Sequence, residues 1–513
     1  MQIEPPASST NASTSYTKDV AYASRFGVLQ APVHLSLAAG LRGWSSANPK
    51  DPFTYFDVAC GDGETLLVLA AAYPQGQFFG FDFNPDHIAA AKEKVRRVGL
   101  TNVELVETDI LDLQSLDLPN FDYACVVGAY SWIDSARREA LRRFLKARGA
   151  PRCVVLIDYA AQPGAAAANT LYELIRMEAA RHPGNSAEKL AGAARRMKAL
   201  AAGGASFFRA YPSALSRLRD MMSKPADDEA HEVFNLRDGL WFADVAQDMS
   251  ATGFQWANTA KTLHTYSEFV LPADLLPERG IAALDEQAHL DIALNTTHRA
   301  DIFVPSDEQQ VTLASALGDR PVVDFRRNGM DRLKAVSRKV QDLSNPMADR
   351  MVAAASTGIT VSDLVAIGGS AQEAEAMLGR LLASSVLQLF VTMPVEYDGP
   401  AEGDGSARAL SVPSAYNHDV VVQHFNVLDA KPFASPVAGS SLFIPPADRL
   451  SIYALSGGDL RKVYTEIKQA GLSTDSAFGN DEAAFIKSVE TLAEQFAVTG
   501  AIDLVRLGIV SGT

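Results

Sequence analysis

Residues 53–158 alternate short apolar runs with longer segments of helical periodicity. In His87–Val98, for example, Ile88, Ala91 and Val95 fall on one helical face. The apolar runs predict strands at Phe53–Val58, Gln77–Asp82, Val103–Glu107, Phe121–Gly128 and Cys153–Asp158. Strands separated by helices of this length form parallel sheets with right-handed crossovers. The pattern therefore predicts a doubly wound α/β fold.

The pattern changes beyond the fifth strand. Residues 166–235 are rich in alanine and have helical periodicity without an evident strand. A helix ending at Gly253 and a strand at Phe254–Asn258 then resume the sheet, and Asp301–Pro305 is the last predicted strand. We therefore expect a seven-stranded Rossmann-like sheet with a helical insertion, preceded by a short helix within Tyr16–Gly43.

Beyond residue 305 a helix, a turn, a second helix and a strand follow in the order of a winged helix. The second helix, Ala371–Ser384, carries Arg380 against Glu373 and Glu375, whereas a DNA-reading helix needs positive charge toward phosphates. We interpret this unit as a structural or protein-contact module. The expected divisions are 1–165 and 236–305 for the sheet domain, 166–235 for the insertion, 306–395 for a winged-helix-like domain, 396–410 for a linker and 411–513 for an α+β domain.

The composition excludes several classes of protein. A net charge of −15 argues against nucleic acid or an anionic membrane as the main partner. No apolar run is long enough for a membrane span, and the N-terminus lacks the apolar core of a signal peptide. The three cysteines form no CxxC or Cys/His cluster, so neither a disulfide framework nor a metal site is expected. We expect a cytoplasmic protein.

The candidate chemistry begins where the first strand runs into the turn A-C-G-D-G, residues 59–63, and a helix follows. Glycines allow such a turn to approach a ligand, and the helix N-terminus offers free N–H groups. Asp82 ends the second strand, where a Rossmann-type site binds ribose, and Asp109 follows the third, where a carboxylate can accept from an adenine amino group. The turn lacks both a P-loop lysine and the last glycine of G-x-G-x-x-G. An adenosine that bears an amino acid suits the site best.

Four segments resemble the successive motifs of class I S-adenosylmethionine-dependent methyltransferases: Asp57–Gly63, Gly80–Pro85, Thr108–Ile110 and Phe121–Trp132. The stretch G-A-Y-S-W-I, residues 128–133, and the chain after it resemble bacterial methyltransferases with a regulatory domain, a family that includes protein lysine methyltransferases. The resemblance implies a methyltransferase sheet and S-adenosyl-L-methionine as the cofactor. The cofactor-binding residues that it implies are Asp57, Ala59, Cys60, Gly61, Gly63, Asp82, Phe83, Asp109, Ile110 and Gly128.

Two features depart from the family pattern. Ala59 stands where the family has glycine. After the fifth strand the family reads like S-Y-N-T-Y-P-G-W, whereas this chain has D-Y-A-A-Q-P-G-A from Asp158.

Methyl transfer requires alignment and a deprotonated nucleophile. Tyr130, after the fourth strand, is expected nearest the methyl group. Asp158 and Tyr159, after the fifth strand, and His34, before the sheet, are candidates for orienting or deprotonating an acceptor. Asp158 could equally be a helix cap or a loop carboxylate, and Tyr130 could equally be packing.

We expect a methyltransferase acting on a protein side chain, with a lysine amine as the first choice. Two alternatives stay open: an acceptor hydroxyl or amine on a small molecule or glycan, and a cofactor-binding regulatory protein without turnover. The two departures from the family pattern favour the second alternative. The alanine-rich faces of the insertion are compatible with a homodimer or with an intramolecular bundle.

Overall fold

The computed structural model describes residues 17, 19–20, 26–235, 238–324, 329–337, 343, 345–394, 410–411, 414–423, 433–442, 444, 446–469, 481–499, 505 and 511–512. Its central feature is a seven-stranded sheet with the order β3-β2-β1-β4-β5-β7-β6. The strands are β1 Phe53–Val58, β2 Gly76–Asp82, β3 Val103–Glu107, β4 Phe121–Val126, β5 Gly149–Ala160, β6 Phe254–Thr259 and β7 His298–Pro305. The predicted seven-stranded Rossmann-like sheet is confirmed.

The first five strands are parallel, and β7 runs antiparallel between β5 and β6. In β1, Asp57 pairs with Gly80 of β2 on one side and with Cys125 of β4 on the other. Neighbouring residues of β1 face different cores, because side chains alternate along a strand. Tyr55 belongs to a core shared with the first helices, and Phe56 to a core on the other face.

Helices cover both faces of the sheet, and their ends follow local sequence signals. The helices before the fifth strand are α1 Pro32–Gly40, α2 Glu64–Ala72, α3 Pro85–Val98 and α4 Ser135–Arg148. At the start of α3 the Asn84 side chain accepts a hydrogen bond from the Asp86 backbone N–H, and Gly99 ends the helix at a φ of 68°. At the start of α4 the Asp134 side chain caps the Arg137 backbone N–H.

The segment between β5 and β6 is helical, as predicted. It contains α5 Ala165–Ala179, α6 Ser186–Ala202, α7 Ser206–Ala210, α8 Pro212–Met222 and α9 Ala226–Phe234, followed by α10 Phe242–Ala251. The insertion has its own apolar core, which includes Leu171, Ile175 and Leu218. A capping box between Asn185 and Glu188 starts α6. The helix α11, Ala283–Leu294, separates β6 from β7.

The C-terminal region mixes helices with short strands. Up to residue 394 its elements are α12 Leu313–Leu317, β8 Pro321–Val323, α13 Gly329–Ser337, α14 Pro346–Ala354, β9 Ile359–Thr360, α15 Val361–Ala366, α16 Ala371–Ala383 and β10 Gln388–Leu389. The remainder contains β11 Leu410–Ser411, α17 Ala415–Gln423, β12 Phe433–Ser435, β13 Ser440–Leu442, α18 Pro446–Leu455, α19 Leu460–Gln469, α20 Glu482–Thr499 and β14 Ser511–Gly512. The core that contains Tyr55 extends without a break to Val489 of α20. The C-terminal region therefore shares one hydrophobic core with one face of the sheet.

Some expectations about the C-terminal region stay predictions. The winged-helix-like unit corresponds to α15, α16 and the small antiparallel sheet β10-β8-β9, but the domain boundaries are untested. Arg380 of α16 forms an ion pair with Glu268 at 3.2 Å and lies over the Tyr266 ring. The predicted linker 396–410 lies outside the described residues except for Leu410 in β11, and no described helix is both long and apolar enough to cross a bilayer.

A buried ionic network joins β5, β6 and β7 of the large sheet. Arg299 of β7 donates to Asp301 at 2.8 and 2.7 Å and to Asp291 of α11 at 2.8 Å. The Tyr159 hydroxyl donates to Asp301 at 2.6 Å, and Trp256 of β6 donates to the same carboxylate at 3.1 Å. Because these groups are buried, each charge depends on its partner for stability.

The substitution Arg299→Met should lower the free energy of unfolding by about 3–5 kcal/mol, because it leaves two buried carboxylates without their cation. The control is Arg143→Met, which breaks an exposed ion pair with Glu139 and should cost no more than about 1 kcal/mol. Urea unfolding followed by tryptophan fluorescence measures both. Equal losses in the two variants would contradict the assignment.

Candidate functional site

A cavity of about 680 Å³ lies at the carboxyl ends of the parallel strands. Its wall combines the glycine turn, the ends of β2 to β4, residues of α9, and Phe26, Gly27 and Gln30 from the N-terminal segment. Ligand sites of open α/β sheets lie at this edge, and pockets of about 300–1,000 Å³ hold small molecules. The cavity is therefore the candidate site.

Positive φ angles and hydrogen bonds to one carboxylate define the shape of the glycine turn. Ala59, Gly61 and Gly63 have φ angles of 65°, 57° and 75°. The Asp82 carboxylate accepts from the Gly61 N–H at 2.9 Å, and its other oxygen accepts from the Asn84 N–H at 2.9 Å. Asp82 thus fixes the turn and the start of α3 together, while it lines the cavity.

Asp57 is a buried carboxylate on the cavity wall, 3% exposed. Burial, and next the neighbouring Asp82 carboxylate, raise the pKa of Asp57 to about 7. The Gln30 side chain donates to it at 3.5 Å. A cation bound in the cavity would stabilise the ionised form of Asp57.

Asp109 forms a two-bond ion pair that the sequence did not reveal. Arg137 of α4 donates from Nε at 3.1 Å and from Nη2 at 2.8 Å, and the Leu111 N–H donates at 3.0 Å. Arg137 also pairs with Asp134 at 2.6 Å. All three charged side chains line the cavity. Arg137 therefore orients the carboxylate predicted to accept from adenine.

Most of the predicted cofactor residues come together on the cavity wall. Those that line it are Asp57, Ala59, Cys60, Gly61, Asp82, Phe83, Asp109, Ile110 and Gly128. Gly63 instead packs behind the wall, where a Cβ would come within 3.0 Å of Ala91 and 3.1 Å of Leu67. Its role is close contact between α2 and α3.

Three of the four predicted catalytic residues have their polar atoms engaged elsewhere. The Tyr130 hydroxyl accepts from Arg142 at 3.0 Å, and Tyr159 belongs to the Arg299 network. Burial lowers the pKa of His34, and its Nε2 lies 2.6 Å from the Ala260 carbonyl oxygen, which accepts a hydrogen bond there. None of these side chains lies on the cavity wall, and this geometry favours packing roles. Their catalytic roles remain predictions.

Asp158 contacts the site indirectly. Its Oδ1 accepts from the Gly128 N–H at 3.2 Å, and its Oδ2 pairs with His298 Nε2 of β7. Gly128 has a φ of 69° and lines the cavity. The geometry suits a carboxylate that fixes the loop after β4, which was one of the two roles left open by the sequence.

Sequence reasoning missed the wall contributed by α9 and the residues just after it, which we call the α9 wall. It comprises Glu229, His231, Glu232, Asn235 and Asp238. N-terminal residues cover it, since the Thr17 N–H donates to Asn235 Oδ1 at 2.9 Å and the Val20 carbonyl lies 3.1 Å from His231 Nε2. The acid-rich sequence of α9 was the available signal, but nothing local placed it at the sheet edge.

Comparison with known proteins identifies the fold. Residues 56–149 match a family model described as a methyltransferase domain. An uncharacterised protein of Synechocystis sp. is 29% identical over 297 residues, which are 56% of this chain and 58% of that protein. Demethylmenaquinone methyltransferase of Bacillus cytotoxicus is 38% identical over 71 residues, 14% of this chain and 30% of that protein. The chain thus spans less than two thirds of the length of these relatives.

Among solved structures, PKMT2 from Rickettsia typhi matches 93% of this chain and 99% of its own, with a TM-score of 0.66 and 17% identity. A second structure of that protein is in complex with AdoHcy. The chain has the fold of the class I S-adenosylmethionine-dependent methyltransferases, and residues 56–149 match a methyltransferase domain. The resemblance to class I methyltransferases is confirmed, whereas the narrower resemblance to methyltransferases with a regulatory domain stays a prediction.

The raised pKa of Asp57 predicts that ionisation of this carboxyl destabilises the folded protein. Because the folded state holds this proton up to about pH 7, against an ordinary value of 3.8, stability falls as pH rises between these values. Asp57→Asn removes that loss, so at pH 8 the variant should be more stable by up to about 4 kcal/mol, with little difference at pH 4. Thermal and urea unfolding across this range measure it, with the exposed Asp117→Asn as control. A pH-independent difference would contradict the prediction.

The Arg137–Asp109 pair predicts an effect on the cofactor expected from the sequence. Arg137→Gln should weaken its binding about tenfold, because Asp109 loses two charge-assisted bonds that orient it. The affinity of Arg137→Lys should lie between those of the wild type and Arg137→Gln, because lysine keeps the charge but cannot form the two parallel hydrogen bonds. Isothermal titration with S-adenosylhomocysteine measures the affinities, with the exposed Arg143→Gln on the same helix as control. Tighter binding by Arg137→Gln would mean that Arg137 competes with the ligand for Asp109.

Proposed function

We propose that this chain is an S-adenosylmethionine-dependent methyltransferase whose acceptor is a protein side chain, with a lysine amine favoured. The observation that carries the proposal is the charge of the cavity wall. Carboxylates from the sheet edge and from α9 line it, and Arg137 is its one arginine or lysine among the described residues. A cavity of this sign favours a cationic cofactor and a cationic acceptor.

The cofactor assignment follows the order of the strands. We assign Asp82 to the ribose hydroxyls, Asp109 to the adenine amino group, and Asp57 and the glycine turn to the amino-acid part. The sulfonium and amino groups of the cofactor are positive, so they would favour the ionised form of Asp57. The similarity to a methyltransferase domain model and to PKMT2, whose complex contains AdoHcy, supports this assignment.

The acceptor assignment rests on the α9 wall. Three of its acids line the cavity: Glu229, Glu232 and Asp238. Glu229 accepts from Arg217, and Asp238 pairs with Arg138 at 2.5 Å. Trp132 and Phe26 add aromatic surface, which holds cations over a ring face. A lysine side chain would thus meet both acid and aromatic groups.

When bound, the cofactor supplies a methyl group whose bond to sulfur breaks as the amine forms its bond to carbon. The chain's task is to align the amine and to take its proton before attack. A carboxylate of the α9 wall, Glu232 in this proposal, accepts that proton. The glycine turn and Asp82 would hold the methyl donor in place.

Two alternatives keep some support. The 71-residue similarity to demethylmenaquinone methyltransferase is to a protein named for a small-molecule substrate. The packing of Tyr130, Tyr159 and His34 away from the cavity favours a cofactor-binding protein without turnover. A homodimer and a cytoplasmic location stay predictions.

The acceptor class can be tested with deuteromethyl-labelled S-adenosylmethionine. The purified chain is incubated with extract from a strain that lacks it, and both protein and small-molecule fractions are analysed by mass spectrometry. We expect label on lysine amines of protein. Label confined to hydroxyls or to small molecules would contradict the acceptor assignment, and binding without any label would favour the regulatory alternative.

The role of the α9 wall can be tested on the labelled acceptor. Glu232→Gln should lower kcat/KM about tenfold or more, because it removes both a charge and a proton acceptor, while cofactor affinity stays unchanged. The control is Glu173→Gln, an exposed acid on α5 that pairs with Arg176. An equal loss in both variants would contradict the assignment.

A further inference from the structure

The C-terminal region contacts the helices that follow the glycine turn. Arg97 at the end of α3 forms two bonds of 3.0 Å with Asp419 of α17. The Tyr73 hydroxyl at the end of α2 donates to the Gly439 carbonyl between β12 and β13. These hydrogen bonds accompany the shared apolar core, so α17 is packed firmly against the methyltransferase domain.

Another contact of α17 reaches the cavity wall. The Tyr416 hydroxyl of α17 lies 3.5 Å from Oε1 of Glu64, the first residue of α2, and both residues are buried. Lys94 of α3 donates to Glu64 Oε2 at 3.4 Å and to Asp62 at 2.7 Å. Asp62 and Glu64 flank Gly63, and both line the cavity.

We propose that Tyr416 is a positioning residue for the cofactor site, so that the C-terminal region completes that site. Tyr416 fixes the Glu64 carboxylate on the cavity wall from behind, and Lys94 joins Glu64 to Asp62 in the glycine turn. An acidic residue in the first turn also favours the helix dipole of α2. The wall therefore depends on a side chain 352 positions away from Glu64 in the chain.

The inference rests on the cofactor part of the proposed function and is independent of the acceptor. The test is isothermal titration of S-adenosylhomocysteine into the full chain and into Tyr416→Phe, which removes only the hydroxyl. We expect affinity to fall about 3–10-fold, since one hydrogen bond to a charged group is lost. The KM for S-adenosylmethionine should rise by a similar factor with kcat unchanged, a split that a general loss of stability would not produce.

The matched control is Asp419→Asn, which weakens another contact of the same helix with the same domain without touching Glu64. It should bind S-adenosylhomocysteine within about twofold of the wild type. An equal loss in Asp419→Asn, or wild-type affinity in Tyr416→Phe, would overturn the inference. If the wild type itself does not bind, the proposed cofactor fails instead.

A double-mutant cycle gives a second readout. Glu64→Gln is measured alone and together with Tyr416→Phe. If Tyr416 acts through Glu64, the double variant should bind about as weakly as Glu64→Gln alone. Additive losses would show that the two side chains act independently and would overturn the inference.

Discussion

Two carboxylates buried beside each other, Asp57 and Asp82, are the constraint on which the rest of the site depends. Asp82 accepts hydrogen bonds from two backbone N–H groups, and these bonds fix the glycine turn and the start of α3. Burial, and next the neighbouring Asp82 carboxylate, raise the pKa of Asp57. A cation bound beside these carboxylates would therefore favour the ionised form of Asp57. Binding and stability are opposed at Asp57, as is common where a site is built before its ligand arrives.

The surrounding elements add to this constraint from three parts of the chain. Arg137 orients Asp109 at the sheet edge, the α9 wall closes the cavity from the insertion, and Tyr416 supports Glu64 from the C-terminal region. The core that includes Tyr55 continues into the C-terminal helices, so this support rests on a packed interior. The methyltransferase domain alone would therefore lack part of the wall.

The sequence could predict what depends on local pattern. Apolar runs and their spacing gave the strands, and the acid at the end of β2 gave Asp82, because both are set within a few residues. The return of β6 to the sheet was also predictable from a helix, a glycine and an apolar run. The antiparallel insertion of β7 between β5 and β6 was not evident, since it depends on how β6 and α11 pack.

The details of the site were less predictable because they depend on contacts distant in the chain. Tyr130 sits among loop residues that line the cavity, yet its own side chain turns into the core toward Arg142, and a loop has no periodicity that would reveal this. His298 meets Asp158 across 140 positions, and Tyr416 meets Glu64 across 352. Pairings at such separations are set by tertiary structure, so residue type and spacing along the chain did not indicate them.

Ala59 bears on whether the chain can still bind its cofactor. A non-glycine residue at a φ of 65° costs roughly 1–2 kcal/mol, yet the N–H groups of Ala59 and Cys60 both donate to the Phe81 carbonyl, at 2.8 and 3.0 Å. These bonds anchor the turn to the end of β2, and the Gly61 N–H donates to Asp82. The alanine therefore adds strain to a turn that these hydrogen bonds hold in place. The case for a protein without turnover then rests on the acceptor side alone, where Tyr130, Tyr159 and His34 lie outside the cavity wall and the α9 wall supplies the available chemistry.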